Sequence, residues 1–266
     1  MLGLILGDTK FGSQIIEKLR SKKKKFIIID ISKRKIHKGK NSFAFSIGQL
    51  GKAISILKHN KCKEVIFAGR VSMPNFKNIK FDLKALYYLP RIIKNSKKGD
   101  VYLIKEIIKI FNKEGFKVIN SLKFNSELIA RKKTYTKTKI RKLEKKDIKK
   151  AMKLISSMRN SKTGQAIVID NGFVLSIEGS LGTDHMLNKL EKKNKNKKTK
   201  KGVLVKLPKK NQDLRIDLPT IGLKTIKKSI KIGLKGIAVK ANQSVFLEKQ
   251  KSIRLANKHR IFICGI

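Results

Sequence analysis

Two aspartates set four apart, Asp213 and Asp217, flank Arg215 inside the segment from Gly202 to Gly222, GVLVKLPKKNQDLRIDLPTIG. The chain holds 18 acidic residues against 66 basic ones, so two acids this close invite a chemical reading. In an extended segment Asp213, Arg215 and Asp217 would share one face, because side chains alternate with period two. In a helix, positions four apart also face the same way. Either geometry brings the carboxylates together. Such a pair suits a hard, oxygen-liganded cation such as Mg2+, which takes one or two carboxylates plus substrate phosphates. The plainer alternative is that Asp213 and Arg215 simply pair with each other.

A second group follows a strand: Glu178-Gly179, then Gly182-Thr183-Asp184-His185. Asp184 reads equally as a catalytic carboxylate or as the N-cap of a helix over Met186 to Leu190. His185 stands alone and is expected to be solvent-exposed. A third group, Gly69-Arg70, closes an apolar run. Arg70 is a candidate anion contact there, since open α/β sheets place ligands beyond the carboxyl ends of their strands.

The elements that must position these groups alternate. Leu2 to Leu6, Phe26 to Asp30, Glu64 to Ala68 and Phe116 to Ile119 read as buried strands. Between them lie helical patterns at Ile15 to Leu19, Ser46 to His59, Phe81 to Leu89 (stopped by Pro90), and Gly99-Asp100 to a C-capping Gly115. Alternation of this kind implies a parallel, helix-covered sheet. The opening glycines Gly3, Gly7 and Gly12 do not complete G-x-G-x-x-G, so the first turn is either a phosphate-contacting loop or a strand-to-helix turn that needs glycine. A turn at Met73-Pro74 follows Arg70.

Periodicity fades from Ser121 to Arg141, and the Lys/Thr-rich run there is expected to be a solvated linker. The expected organisation is a Rossmann-like domain over 1–128, a linker over 129–142 and a mixed α/β domain over 143–266. In the latter, Leu143 to Met158 is helical, and Gln165 to Ile169 and Phe173 to Ile177 form a hairpin through Asn171-Gly172. Glu191 to Lys201 reads as a mobile basic loop. A helix over Lys224 to Ile232, strands at Gly236 to Val239 and Val245 to Leu247, a helix over Glu248 to Lys258 and a strand at Ile261 to Cys264 complete the chain. The fold class is α/β.

Length of 266 residues, 40% hydrophobic and 32% charged content fit a globular chain with a real core. The net charge of +48 suggests nucleic acid or an anionic membrane. The excess is nearly all lysine, however, and Trp is absent. Lysine spread evenly with few base-stacking aromatics argues for compositional bias and against a specific nucleic-acid partner. Cys62 and Cys264 have no metal-ligand spacing and read as thiols of a reducing compartment. No stretch reaches the roughly 18 apolar residues of a membrane span, and the start lacks a basic leader, so the chain is expected in the cytoplasm.

With those residues in view, the chain resembles the UDP-2,3-diacylglucosamine pyrophosphatase family of lipid A biosynthesis, the type with a DUF1009 C-terminal domain. VIFAGRVSMPNF, GDVYLIKEIIKIFNKEGFKVI, GQAIVIDNGFVLSIEGSLGTDHML, GVLVKLPKKNQDLRIDLPTIG and GLKGIAVKA carry the resemblance, in family order and over nearly the whole chain. The joint occurrence of GQA, EG-x-x-GTD and QDLR-x-DLPTIG is the specific part. One departure is GDTKFGSQI, which lacks the proline that members commonly carry in that loop.

The resemblance implies hydrolysis of UDP-2,3-diacylglucosamine to UMP and 2,3-diacylglucosamine 1-phosphate, with Mg2+ or a similar divalent ion. It further implies a cytoplasmic enzyme associated with the inner face of the cytoplasmic membrane, and a homodimer. On this reading Asp213 and Asp217 hold the cation or position water, and Arg215 and Lys206 stabilise growing negative charge. Gln212, Glu178, Gly179, Thr183, Asp184, Thr220, Gly69 and Arg70 complete the substrate site. The rival readings are a Rossmann-type nucleotide-sugar enzyme of another reaction class and a basic nucleic-acid-binding protein.

Overall fold

The computed structural model describes residues 1–71, 79–158, 164–193 and 200–266. The expected Met73-Pro74 turn and residues 194–199 of the expected basic loop lie outside these. The chain divides into two compact units: Met1–Ser126 with Arg215–Asp217, and Glu127–Leu214 with Leu218–Ile266.

The first unit is built on a parallel sheet. Strands β1 (Leu2–Leu6), β2 (Phe26–Asp30), β3 (Ser42–Ala44), β4 (Glu64–Ala68) and β5 (Lys117–Val118) lie in the order β3-β2-β1-β4-β5. This matches the first five strands of the Rossmann order 3-2-1-4-5-6, which reverses between β1 and β4. β1 is buried along its whole length, as a central strand covered on both faces must be. Helices α1 (Lys10–Ser21), α2 (Leu50–His59), α3 (Leu83–Lys98) and α4 (Asp100–Lys113) connect the strands. Ala53, Ile54 and Leu57 of α2 and Ile108 and Phe111 of α4 pack with Ile5, Ile27, Ile29 and Val65. Free Cys62 is buried among them.

Two expectations need correcting here. The helix over Ser46 to His59 begins only at Leu50, with Ser46 N–H bonded to the Gln49 side chain ahead of it. Pro90 does not stop α3; it lies inside a 16-residue helix. The proline sits on the exposed side, where its ring meets solvent and the Leu86 carbonyl left without an N–H partner can be hydrated. Asp82 anchors the start, accepting Ala85 N–H at 2.8 Å and, from the head of α2, Gly51 N–H at 3.0 Å and Lys52 N–H at 3.1 Å.

The second unit is a three-layer α/β/α structure. Its sheet has the order β12-β10-β8-β6-β7, from β6 (Ala166–Asp170), β7 (Phe173–Ile177), β8 (Val203–Lys206), β10 (Gly236–Val239) and β12 (Phe262–Gly265). β8, β10 and β12 are parallel, while β6 runs antiparallel to both β8 and β7. Ile167, Ile169, Val203 and Val205 meet α5 (Lys142–Ser157) on one face. Ala166, Val168, Leu204 and Ile237 meet α6 (Thr183–Lys193), α7 (Leu223–Ile232) and α8 (Lys249–Lys258) on the other. β9 (Thr220–Ile221) and β11 (Val245–Phe246) form a separate parallel pair. The expected hairpin is present, with Asn171 at φ 49° and Gly172 at φ 81°, and Asp147 of α5 accepts the N–H of both turn residues. β7 is an edge strand whose Phe173, Val174, Leu175 and Ile177 are exposed.

Residues 129–141 are not a solvated linker. Ala130 is fully buried and its N–H bonds Ser244 O at 2.9 Å. Tyr135 N–H reaches Ile263 O at 2.8 Å, and its ring meets Phe246 edge-on at 5.3 Å. The polar side chains face water while the backbone completes the second unit's hydrogen bonding.

One half-buried cluster fixes α3 in the first unit. Glu114 accepts from Lys84 at 2.7 Å, Lys58 at 3.1 Å and the Tyr88 hydroxyl at 2.9 Å. Burial works to raise the carboxyl, but the three donors outweigh it and hold it at about 2. Burial and this same bond push the Tyr88 hydroxyl up to about 12. A depressed carboxylate contributes stability that is fully present above its ordinary range and is lost as pH falls through its folded value. Acid titration followed by circular dichroism should therefore show the first unit weakening between about pH 4.5 and 2. Glu114→Gln should flatten that dependence and cost on the order of 2 kcal/mol at neutral pH; an unchanged acid profile would contradict the assignment.

Candidate active site

At the carboxyl end of β8 the chain buries a lysine. Lys206 is 8% exposed and, among the described residues, is the one lysine or arginine below the surface. Val203 to Val205 pull it there: all three are fully buried, so the strand continues inward through its last residue. A buried ammonium needs hydrogen-bond acceptors. Lys206 Nζ donates to Thr183 Oγ1 at 3.0 Å and to the Thr220 carbonyl at 3.1 Å.

Thr183 passes the connection on. Its hydroxyl donates to Glu178 Oε1 at 3.0 Å, and the second Glu178 oxygen accepts Gln165 N–H at 2.9 Å. Glu178 is 6% exposed, so it acts on its surroundings by holding Thr183. Gly164 is required beside it, because a Cβ at that position would collide with the Glu178 side chain. The sequence marked Gly164 and Gln165 only through the GQA motif and gave neither a part in the site.

The EG-x-x-GTD segment has a clear local logic. Gly182 N–H bonds Gly179 O at 3.1 Å, closing a turn after β7. Gly182 then adopts φ +85°, a region that glycine enters without strain. Its carbonyl accepts His185 N–H and Met186 N–H and so opens α6. Asp184 is therefore not the N-cap, since helix already begins at Thr183. Its carboxylate pairs with Lys224 at 2.5 Å and Lys228 at 3.2 Å. Burial raises the Asp184 carboxyl, yet the two lysines outweigh it and hold it below the usual range. Lys224 and Lys228 stand four apart on α7, a spacing that could have revealed them. His185 is not exposed as expected: it is half-buried, and its Nε2 is inaccessible with no hydrogen-bond partner among the described residues.

The Asp213 segment is neither strand nor helix. Residues 207–219 are irregular backbone with turns at 210–211 and 214–216, so the expected shared face does not arise from regular structure. Gln212 is committed within it: its side-chain oxygen accepts Lys209 N–H at 2.6 Å and its own N–H returns to Lys209 O at 3.1 Å. Asp213 and Asp217 are half-buried and Arg215 is exposed. Asp213 counts with the second unit, whereas Arg215–Asp217 count with the first. Arg215 O there accepts Ser121 N–H at 3.3 Å, and Ile216 packs on the core of β1, β2 and β4. No group of three or more His, Cys, Asp or Glu able to hold a metal occurs among the described residues. The carboxylate oxygens of Asp213 and Asp217 are the donor type that Mg2+ takes, and that ion leaves most of its coordination to water and phosphate.

The remaining pair lies in the first unit. Gly7 and Gly69 meet where the strand order reverses: Gly69 has φ +93° and its position faces the Gly7 backbone. A Cβ on Gly7 would strike the Arg70 carbonyl, which accepts Asp8 N–H at 2.9 Å. Arg70 is exposed at this carboxyl end. Asp30, at the end of β2 where dinucleotide folds place a ribose-binding acid, is buried and occupied: it accepts Ser32 N–H at 2.8 Å and His37 N–H at 2.9 Å.

Two family models and a relative match the chain. A family model described as the LpxI N-terminal domain matches residues 1–128, and one described as the LpxI C-terminal domain matches residues 131–264. The chain is 32% identical over 224 residues to the UDP-2,3-diacylglucosamine pyrophosphatase LpxI of Caulobacter vibrioides, covering 83% of this chain and 80% of that protein. Between them the two models span both units, so the chain belongs to the LpxI family.

Proposed function

We propose that the protein hydrolyses the pyrophosphate bond of UDP-2,3-diacylglucosamine, giving UMP and 2,3-diacylglucosamine 1-phosphate, in lipid A biosynthesis. The observation that carries the reading is Lys206, the one buried cation among the described residues, bonded to the threonine of EG-x-x-GTD. A chain that solvates its other described lysines and arginines keeps this one buried, and a fixed cation is what a phosphoryl oxygen calls for. The relative from Caulobacter, named for this activity, supports the substrate assignment.

In the reaction, water adds to one phosphorus, the bridging P–O bond breaks and a proton is released. Asp213 and Asp217 would hold a divalent ion, with Mg2+ the first choice. When bound, such an ion neutralises charge on the phosphoryl oxygens and lowers the pKa of water. Lys206 adds a fixed positive charge whose orientation Thr183 and Glu178 maintain, at no reorganisation cost during the step. Arg215, being exposed, can meet the substrate's phosphates by charge-assisted hydrogen bonds. Gln212 holds the turn that carries Asp213, and Gly179 and Gly182 set the turn that presents Thr183. Arg70 and Gly69, at the switch point of the first sheet, are the proposed contacts for the nucleotide's anionic part. Homodimer formation and association with the inner face of the cytoplasmic membrane belong to the same reading; no helix among the described residues is long and apolar enough to cross a membrane.

Incubation with UDP-2,3-diacylglucosamine and Mg2+ should release UMP, and chelation should stop it. Asp213→Ala should lower kcat at least about 100-fold. No UMP from the intact protein, or full activity in that variant, would end the proposal. Thr183→Val separates positioning from folding: kcat should fall about tenfold with KM and melting temperature little changed. Lys206→Met should lose more, at about 100-fold, and equal activity of either variant with the wild type would remove the network from the mechanism.

A further inference from the structure

Helix α3 carries an outward stripe that the fold does not use. Its inner face holds Ala85, Tyr88 and the Glu114 cluster. Its outer face, at helical spacings of three and four, is apolar toward the N-terminus: Leu83 is 87% exposed, Leu86 49% and Tyr87 64%. Leu83 is the most exposed of the large apolar residues among those described. The same stripe continues as Arg91, Lys94, Lys97 and Lys98, all exposed. Arg91 also pairs with Glu106 of α4 at 2.7 Å.

Aromatic rings beside ammonium groups add to the pattern. Lys113 lies 5.3 Å from the Tyr87 ring centre and donates to its hydroxyl at 3.2 Å. Lys98 lies 6.0 Å from the ring centre of Tyr102, which is 48% exposed. Apolar bodies with cationic or phenolic tips are what the boundary between acyl chains and headgroups accommodates.

We propose that this face of α3 docks on an anionic lipid surface. Leu83, Leu86 and Tyr87 enter the acyl boundary, and Lys94, Lys97 and Lys98 lie among lipid phosphates. Charge complementarity selects this occupant, because the stripe is basic and carries no exposed carboxylate. The exposed apolar strip along β7 has no such basic continuation in its own segment. Residues 163–188, which contain it, include no lysine or arginine in a chain with 66. The inference deepens the membrane association within the proposed function and rests on that reading, but its test involves no turnover, so either can fail alone.

The chain has no Trp, so a single introduced Trp reports one position. Leu83→Trp and, as a control, Phe173→Trp are mixed with vesicles of phosphatidylcholine, with or without phosphatidylglycerol, carrying brominated acyl chains. With the anionic vesicles, Leu83→Trp should shift to the blue and lose at least half its emission, while Phe173→Trp should change little. With phosphatidylcholine alone neither should respond. Adding Leu86→Asp to Leu83→Trp should weaken vesicle binding at least tenfold. Quenching at Phe173→Trp equal to that at Leu83→Trp, or vesicle binding that leaves Leu83→Trp in water, would overturn the proposal, as would no binding at all.

Discussion

Burial of one ammonium group organises the second unit's site. A charge withdrawn from water is costly unless its donors are satisfied, and Lys206 reaches the Thr183 hydroxyl and the Thr220 carbonyl. These partners come from α6 and β9, on either side of β8 in sequence. Their placement in turn depends on Gly182 reversing the chain into α6 and on Glu178 being held by Gln165 N–H. Removing Thr183 takes one acceptor from Lys206 and one donor from Glu178. The network is thus a local constraint that α6, β8 and the end of β7 must satisfy together.

The scarcity of acids has a different meaning from the one it suggests in the sequence. Several of the 18 serve as backbone caps or structural partners. Asp30 orders the loop after β2, Asp82 joins two helix starts, and Asp147 holds the hairpin turn. Asp170 accepts both Lys235 and Gly202 N–H, and those bonds outweigh burial to keep its carboxyl below the usual range. A short supply of carboxylates therefore marks where the backbone most needs acceptors as well as where chemistry occurs.

The buried strands were legible because a central strand covered on both faces must be apolar on both, and Leu2 to Leu6, Val65 to Ala68 and Val203 to Val205 fulfil this. The hairpin was legible from Asn171-Gly172 alone. Pro90 misled because its penalty depends on which side of the helix faces solvent, and that is a tertiary property. Residues 129–141 misled because their polar side chains concealed a backbone paired with the second unit's sheet and β11. The motifs singled out Glu178, Thr183 and Lys206 as candidates, but not that Thr183 bonds the other two. The roles of Gly164 and of the lysines around Asp184 arise from packing between elements distant in sequence.

The most direct test is a crystal structure of the Asp213→Ala protein with UDP-2,3-diacylglucosamine bound. The account predicts a diphosphate oxygen within about 3 Å of Lys206 Nζ, with the Thr183–Glu178 bond intact. A diphosphate bound elsewhere, with Lys206 still enclosed by Thr183 and Thr220 and touching no substrate atom, would contradict it.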